Sequence, residues 1–393
     1  VPPPSAPPVQ AAPAPTLPEP PPLPDPTPVP APAASAPLAL TAPKAAKTES
    51  RAALLLPLSG PQAATGQALS NAAQLALFEI ADSHFSLIPL DTKGTADGAA
   101  AAMAQAVAQG ADIILGPVFS FEVKAAAPLA LENALPMLAF TTDATVAGNG
   151  IYALGYLPGP QVARVIAHAR DQGRRRIAVL ARSDEYGRAV ADAAQQAASN
   201  LGVDLIAVEY YDPAQTDFTA LVKRLAARRP APGEKAAYDA ILIGDDGVRL
   251  RNLTSLLSYY LNTGEPPRLL GTLLWDDPRL ASEPSLIGGW YPAPPSSSYE
   301  AFEQRYTKAF GPIPARVPGL LAGIAYDATA LAALMARQGH GDYSADSLQS
   351  PLGFLGAGGL FRLTPAGLAE RGLAIREITP QGAREIAPAP ATF

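Results

Sequence analysis

From residue 52 onward, short apolar runs alternate with longer helical patterns, and the alternation restarts once. AALLLPL (52–58) reads as a buried strand and Gln62–Ala81 as a helix. FSLIPLD (Phe85–Asp91) and Ala96–Gln109 repeat the pair, then ADIILGPV with Ser120–Asn133, then PMLAFT. The second round runs Pro160–Gln172, RRIAVLA, Glu185–Asn200, VDLIAVEYY, Phe218–Arg229, AILIGD, Val248–Leu261 and RLLGTLLW. Strands this short and this continuously apolar are covered on both faces, and helices between them make right-handed crossovers. The pattern therefore demands parallel sheets wound on both sides. Two rounds give two doubly wound α/β lobes, with the carboxyl ends of their strands lining a cleft, where open α/β sheets hold ligands.

After GGWYPAP come helices at Tyr299–Phe310 and Gly319–Arg337, then GGLFRLT and LAIREI as an expected hairpin. The late helices are too few for a third domain. The expected division is lobe 1 over 51–157 plus 293–343, and lobe 2 over 158–292 plus 344–387.

Ahead of this lies a different chain. Eighteen of the 44 prolines fall in the first 50 residues. Residues 1–46 are Pro/Ala low complexity with little to bury, and are expected to form a disordered, semi-extended tether. At ~3.1 Å per residue its full reach is about 140 Å. The first residue is Val1, which suggests a processed N-terminus. The tail 387–393 is expected to be loose. No run approaches ~20 consecutive apolar residues, so no membrane span is expected.

Charge and composition remove several function classes. The net charge is −6 with 29 Lys plus Arg, which argues against a nucleic-acid partner. The one dense basic cluster, Arg170–Arg176, sits between a helix and a strand and reads as a solvated helix end. Zero cysteines exclude disulfides, thiolate metal sites and a Cys nucleophile. His84, His168 and His340 have no second His or carboxylate at ligand spacing, and there is no G-x-S-x-G elbow. No enzyme activity, metal or cofactor is expected.

The loop LSGPQAATG, at the carboxyl end of the first strand, brings Ser59 and Gly60 to the cleft. Free amides there could meet an anion, or the two residues could simply cap the helix. It lacks the G-x-G-x-x-G and G-x-x-x-x-G-K-[ST] spacings of nucleotide loops. Asp245–Asp246 and Asp276–Asp277 follow second-lobe strands. They could receive an amine or cap helices, and capping fits better, since Pro278 follows Asp277. Trp275 and Trp290 flank a late crossing and could touch a ligand or pack a hinge. Tyr210–Tyr211 and Tyr259–Tyr260 read as surface and core aromatics.

LLLPLSGPQAATGQALSNAAQLAL resembles the first strand, loop and helix of type 1 periplasmic binding proteins. IILGPVFSFEVKAAAPLALENALPMLAFTTDAT resembles their next signature, IAVLARSDEYGRAVADAAQQA their second-lobe entry, and GIAYDATALAALM a late helix. Within that superfamily, ALLLPLSGPQAATGQAL with its Pro-rich lead is most similar to the LppC-type lipoprotein activators of penicillin-binding proteins. The resemblance implies a non-catalytic periplasmic regulator. It would be tethered to the outer membrane through a lipidated Cys before Val1, touching the membrane only through that anchor. It would stimulate peptidoglycan synthesis by binding a class A penicillin-binding protein. The alternative it implies is the solute-binding protein of an ABC importer for amino acids, amides or small peptides.

Amino-acid-binding members hold the ligand carboxylate on first-lobe hydroxyls, and its ammonium on a second-lobe Tyr and acid. Ser120 and Thr141 fit the hydroxyl positions, with Thr142 beside Thr141, but Phe121 and Glu122 follow Ser120 where more hydroxyls are usual, and Tyr186 fits the aromatic. Asp143 stands where Thr is common and would repel a carboxylate. The acidic anchor aligns near Leu273. The charge-bearing half of an amino-acid site is therefore poorly matched.

Overall fold

A computed structural model describes residues 49–228, 237–261, 265–314, 316–339 and 341–393. The expected tether over 1–46 and His340 lie outside the described residues.

The first apolar run, LLL, is buried on both faces because it is a central strand. β1 (Ser50–Leu56) leads to α1 (Ala63–Ile80), β2 (Phe85–Asp91), α2 (Ala96–Ala108), β3 (Ile113–Leu115), α3 (Ser120–Glu132), β4 (Met137–Ala139) and β5 (Ile151–Ala153). The five strands form one parallel sheet in the order β2-β1-β3-β4-β5.

The second sheet follows α4 (Pro158–Asp171). It is built from β6 (Arg176–Arg182), α5 (Glu185–Leu201), β7 (Asp204–Tyr211), α6 (Thr219–Ala227), β8 (Ala240–Ile243), α7 (Gly247–Tyr260), β9 (Arg268–Gly271) and β10 (Trp290–Ala293). The chain then returns through α8 (Ser296–Phe310), α9 (Arg316–Gly339) and α10 (Ala345–Leu348). It ends in β11 (Phe354–Gly356), β12 (Gly359–Leu363), β13 (Ala369–Arg371), β14 (Ala374–Thr379) and β15 (Gly382–Ala387). The second sheet has the order β15-β14-β10-β9-β8-β6-β7, with β14 and β15 antiparallel. The result is the expected pair of doubly wound α/β lobes.

Two local expectations fail. GGLFRLT and LAIREI do not form a hairpin with each other: β12 pairs with β11 and β13, and β14 pairs with β10 and β15. The small β11-β12-β13 sheet instead meets the first lobe through a bridge between Ala153 and Leu368. RLLGTLLW is a strand only to Gly271, and Leu273–Trp275 form a 3₁₀ turn. Leu320–Gln338 in α9 has the length and mean hydropathy (1.3) of a membrane-crossing helix, yet 67% of it is buried inside the protein.

A recurrent close contact fixes how helices start above their strands. A Cβ at Gly66 of α1 would lie 2.1 Å from the Pro57 carbonyl, and one at Gly98 of α2 2.0 Å from that of Thr92. In the second lobe a Cβ at Gly187 of α5 would lie 2.0 Å from the Arg182 carbonyl. Only glycine lets the first helical turn sit this close to the strand end.

Three segments cross between the sheets, at 154–157, 294–295 and 372–373, and buried polar groups bind them. Arg371 donates to the Leu154 carbonyl (2.9 Å) and lies 3.4 Å from Asp327 of α9, both side chains being almost fully buried. Gln161 of α4 donates to the Tyr156 carbonyl (2.6 Å) and accepts from the Leu273 amide (2.8 Å). Arg164 donates to the Leu373 carbonyl (2.8 Å), and Arg376 to that of Pro294 (3.1 Å).

Candidate ligand cleft

The carboxyl ends of β1 and β2 are clasped together by Asp91. It accepts from the amides of Leu58 (2.9 Å), Ser59 (3.2 Å) and Lys93 (2.8 Å) and from the Ser59 hydroxyl (2.6 Å). Burial alone would raise its carboxyl, but these donors together hold it below the usual range. The amides expected to face an anion are therefore already turned to Asp91. Gly60 takes φ +79, and a Cβ there would stand 3.1 Å from the Lys93 carbonyl. Neither residue caps α1, whose N-cap position is Gln62 with no side-chain bond. Ser59 and Gly60 thus serve the loop itself.

The next loop carries an acid that the sequence marks only as a departure from the hydroxyl pattern. Glu122, the third residue of α3, is fully buried. It accepts from the Thr92 hydroxyl (2.5 Å) and the Phe119 amide (3.1 Å), so it ties the end of β2 to the start of α3. Burial pushes its carboxyl up. The signal was present as an acid three residues into a helix, a capping position.

Ser120 is half-buried, and its hydroxyl has no hydrogen-bond partner among the described residues. Phe121 is 46% exposed. Its ring stacks on Phe119 with centroids 5.5 Å apart and planes 5° apart.

Thr141 is buried, and its hydroxyl oxygen accepts from the Asp143 amide (3.1 Å). Thr142 is exposed beside it. Asp143 does not face the cleft as a bare carboxylate. It caps the turn Ala144–Val146 by accepting from the Thr145 amide (2.8 Å) and hydroxyl (2.6 Å), with Lys124 at 3.6 Å. Burial opposes these partners, but they prevail and lower its carboxyl. The repulsion expected from Asp143 is accordingly muted.

In the second lobe, Asp245 is fully buried and cannot receive an amine. It accepts from the Tyr211 hydroxyl (2.7 Å), Arg249 Nε (3.0 Å) and Nη2 (2.9 Å) and the Asp246 amide (2.8 Å), with Arg182 Nη1 at 3.5 Å. Burial, then the neighbouring Asp245 charge, pushes the Tyr211 hydroxyl up. Asp246 holds the N-cap position of α7 but makes no side-chain cap bond. Asp277 does cap its turn, through the Arg279 amide (2.9 Å). Asp276 is buried against Arg376 (3.0 Å) and Tyr291 (3.1 Å).

Tyr186 donates to the Thr272 hydroxyl (3.0 Å) beneath the Arg182 guanidinium, and burial pushes its own hydroxyl up to about 12. Trp275 is 0% exposed. A Cβ at Gly271 would lie 2.1 Å from its ring and one at Gly289 2.8 Å, so the indole fills a slot those glycines vacate. It is a core side chain, which corrects its assignment to the ligand site. Leu273, at the acidic-anchor position, is 9% exposed.

The two described histidines lie apart from the cleft acids. His168 is buried, edge-on to Trp290 at 4.8 Å, and burial lowers its imidazole. His84 lies at the surface, 3.4 Å from Asp82. Among the described residues no three His, Asp or Glu converge to hold a metal ion. A polar concavity of about 650 Å³, lined by Gln172, Arg174, Arg176, Asp239 and Glu265, lies at the amino ends of the second-lobe strands, away from the cleft.

The sequence profile of a family described as periplasmic binding protein matches residues 49–382. An uncharacterised protein of Rickettsia prowazekii is 22% identical over 223 residues, covering 56% of this chain and 60% of that protein. Among solved structures, a putative branched-chain amino acid ABC transporter protein from Rhodospirillum rubrum superposes with a TM-score of 0.73 at 18% identity, covering 86% of this chain and 100% of that one. A leucine binding protein from Thermotoga maritima gives 0.61 at 20% identity, covering 86% and 98%. A solute binding protein of an ABC transporter from Rhodopseudomonas palustris, in complex with p-hydroxybenzoic acid, gives 0.64 at 16% identity, covering 88% and 98%. At these identities the likeness to solved structures is one of fold.

Proposed function

The chain belongs to the periplasmic binding protein family, which places it in the periplasm, and from that premise we propose a non-catalytic solute-binding role for it. Its cleft takes a small organic acid that carries no ammonium group, on behalf of an ABC importer. The observation that carries this reading is the state of the second-lobe acid. Asp245 is fully buried and its oxygens are taken up by Arg182, Arg249 and Tyr211, while the anchor position holds Leu273. A ligand ammonium would be desolvated there without a countercharge, which costs several kcal/mol. On the first lobe Ser120 keeps an unengaged hydroxyl beside the first-turn amides of α3, which have no intrahelical acceptors and suit a carboxylate. Thr141, Thr142 and Tyr186 would border the ligand, while Ser59, Gly60, Asp143 and Asp245 would shape the walls. A structural neighbour in complex with p-hydroxybenzoic acid favours a small-molecule ligand over the regulator reading.

Titration calorimetry with leucine, isoleucine, benzoate and 4-hydroxybenzoate tests this. Micromolar binding of at least one ammonium-free acid, with the two amino acids at least tenfold weaker, is the expected result. Tight leucine binding, or silence toward every acid, overturns it.

The regulator reading keeps one supporting observation. The three crossings are tied by buried Arg371, Gln161 and Arg376, an arrangement that suits a fixed surface offered to a class A penicillin-binding protein from the end of a lipid-anchored tether. Capture of such a synthase by the full chain, together with no calorimetric response to any acid, would favour it. In either case the lobes divide at 154–157, 294–295 and 372–373, with β11–β13 assigned to the first lobe.

A further inference from the structure

We infer that Phe121 is a specificity-determining residue, an aromatic platform on the cleft floor that selects a planar ring in the ligand. The inference rests on the organic-acid reading above and names the class of acid.

Its basis is where the Phe119–Phe121 pair sits. α3 packs on one face of the first sheet, through Val123, Ala126 and Ala130, together with α2. Phe119 packs against the large core cluster that includes α1 and α9 on the opposite face and extends into the second lobe. β3 ends at Leu115 and α3 begins at Ser120, so this segment passes over the top of the sheet. Phe119 and Phe121 therefore lie across the carboxyl end of β3, on the floor of the cleft. Phe119 supports Phe121 from one side by near-parallel stacking at 5.5 Å. Phe121 is 46% exposed, so its ring keeps a solvent-accessible side, which we assign to the cleft.

The same loop carries the unengaged Ser120 hydroxyl, one residue from the platform. Its backbone is fixed: buried Glu122 holds the Phe119 amide (3.1 Å) and the Thr92 hydroxyl (2.5 Å). A hydroxyl donor and a pre-stacked ring, held on one rigid turn, match a carboxylate and the ring attached to it. A non-planar ring of equal size gains apolar contact on Phe121 but not offset stacking.

Calorimetry on the full chain with benzoate and cyclohexanecarboxylate, and on the variants F121A, F121L and F121W, tests the platform. Benzoate should bind wild type at least threefold more tightly than cyclohexanecarboxylate. F121A and F121L should weaken benzoate about three- to tenfold and bring the two acids level, the range expected for one lost aromatic pair. F121W should keep the preference. Unchanged melting temperatures in F121L and F121W separate lost stacking from lost folding. If wild type binds both acids alike, or if F121L keeps the preference for benzoate, the platform is refuted while the organic-acid reading stands. If wild type binds neither acid nor any ammonium-free acid, the organic-acid reading itself fails, and the platform with it.

Discussion

Replacing Arg371 with Met removes the group that holds two crossings and leaves a buried acid behind. Arg371 lies 3.4 Å from Asp327, donates to the Leu154 carbonyl and sits over the rings of Tyr156 (4.7 Å) and Phe361 (5.2 Å). Both charged side chains are almost out of solvent, at 2% and 0% exposed. Met fills a similar volume, so the loss is electrostatic rather than a cavity. Breaking a buried pair from one side costs about 3–5 kcal/mol, because the remaining charge has no partner. With roughly 340 folded residues and ~2.1 cal/mol/K of unfolding entropy each, that is a fall of about 4–7 °C in melting temperature. Asp327 would keep only the amides of Ala357 and Gly358. Burial already holds its carboxyl above the ordinary range, and losing Arg371 raises it further. A raised acid in the folded state gives stability that is full below its unfolded pKa of ~3.9 and lost as pH rises through the folded value. The deficit of R371M relative to wild type should therefore widen as pH rises above the ordinary carboxylate range, from the folded pKa of Asp327 in wild type toward its higher value in the variant. Urea unfolding at several pH values and scanning calorimetry read both effects. The double variant with Asp327→Leu should recover most of the loss, since an apolar pair often replaces a buried ion pair at little cost. A single variant within 1 kcal/mol of wild type, or a double variant no better than the single, would refute the view that this pair staples the crossings.

Two further outcomes follow from the cleft geometry. Trp275→Ala should cost about 3–5 kcal/mol in urea unfolding, as for any large core side chain, and leave acid affinity at 15 °C within about twofold; a selective loss of binding at unchanged stability would return Trp275 to the ligand site. Asp91 has a lowered folded pKa, so the clasp it makes is present above the unfolded value of ~3.9 and lost as pH falls through the folded one. Hydrogen exchange corrected for intrinsic pH dependence should accordingly show the Leu58 and Ser59 amides losing protection below about pH 4, and flat protection down to pH 2 would remove Asp91 as their acceptor.

The strands that were legible in the sequence are those with both faces covered, since a parallel strand under two helix layers has no polar face to interrupt it. LLL at 54–56, IIL at 113–115 and AILI at 240–243 are all fully buried. The strands that escaped have a local reason to look wrong. β10 reads WYPA, with a proline inside a sheet of seven strands. Pro292 is tolerated because the register of β10 with β9 is limited to Trp290 opposite Leu270, so no ladder on that side needs its missing N–H. β5, IYA, is three residues between glycine-rich turns, and β11 and β13 are no longer. Gly66, Gly98 and Gly187 each stand early in a helix that follows a strand, in α1, α2 and α5. Their meaning, a helix start seated so tightly that any Cβ would fall about 2 Å from a strand-end carbonyl, depends on a group several residues back.

The site resisted reading for a different reason. Sequence gives the chemistry of a carboxylate but not whether its lone pairs are free. Asp91 takes its donors from Leu58 and Ser59, 33 and 32 residues away, and Asp245 takes Tyr211 and Arg182 from 34 and 63 residues away. Asp143, by contrast, is closed off by Thr145, two residues on, and that bond was within reach of turn chemistry. Once these acids are discounted, the second-lobe wall no longer offers Asp245 to an amine. Asp91, Asp143 and Asp245 are engaged carboxylates, whereas the Ser120 hydroxyl, the Phe121 ring and the exposed Thr142 and Asp246 side chains are among the groups still open to a guest. Under the proposed reading, a cleft that offers a donor and an apolar surface, with its buried acid Asp245 already paired, suits an anionic ring better than an amine. That preference rests on the depth of Asp245, because an aspartate exposed by even a modest opening of the Arg182–Arg249 clasp would restore an amine site.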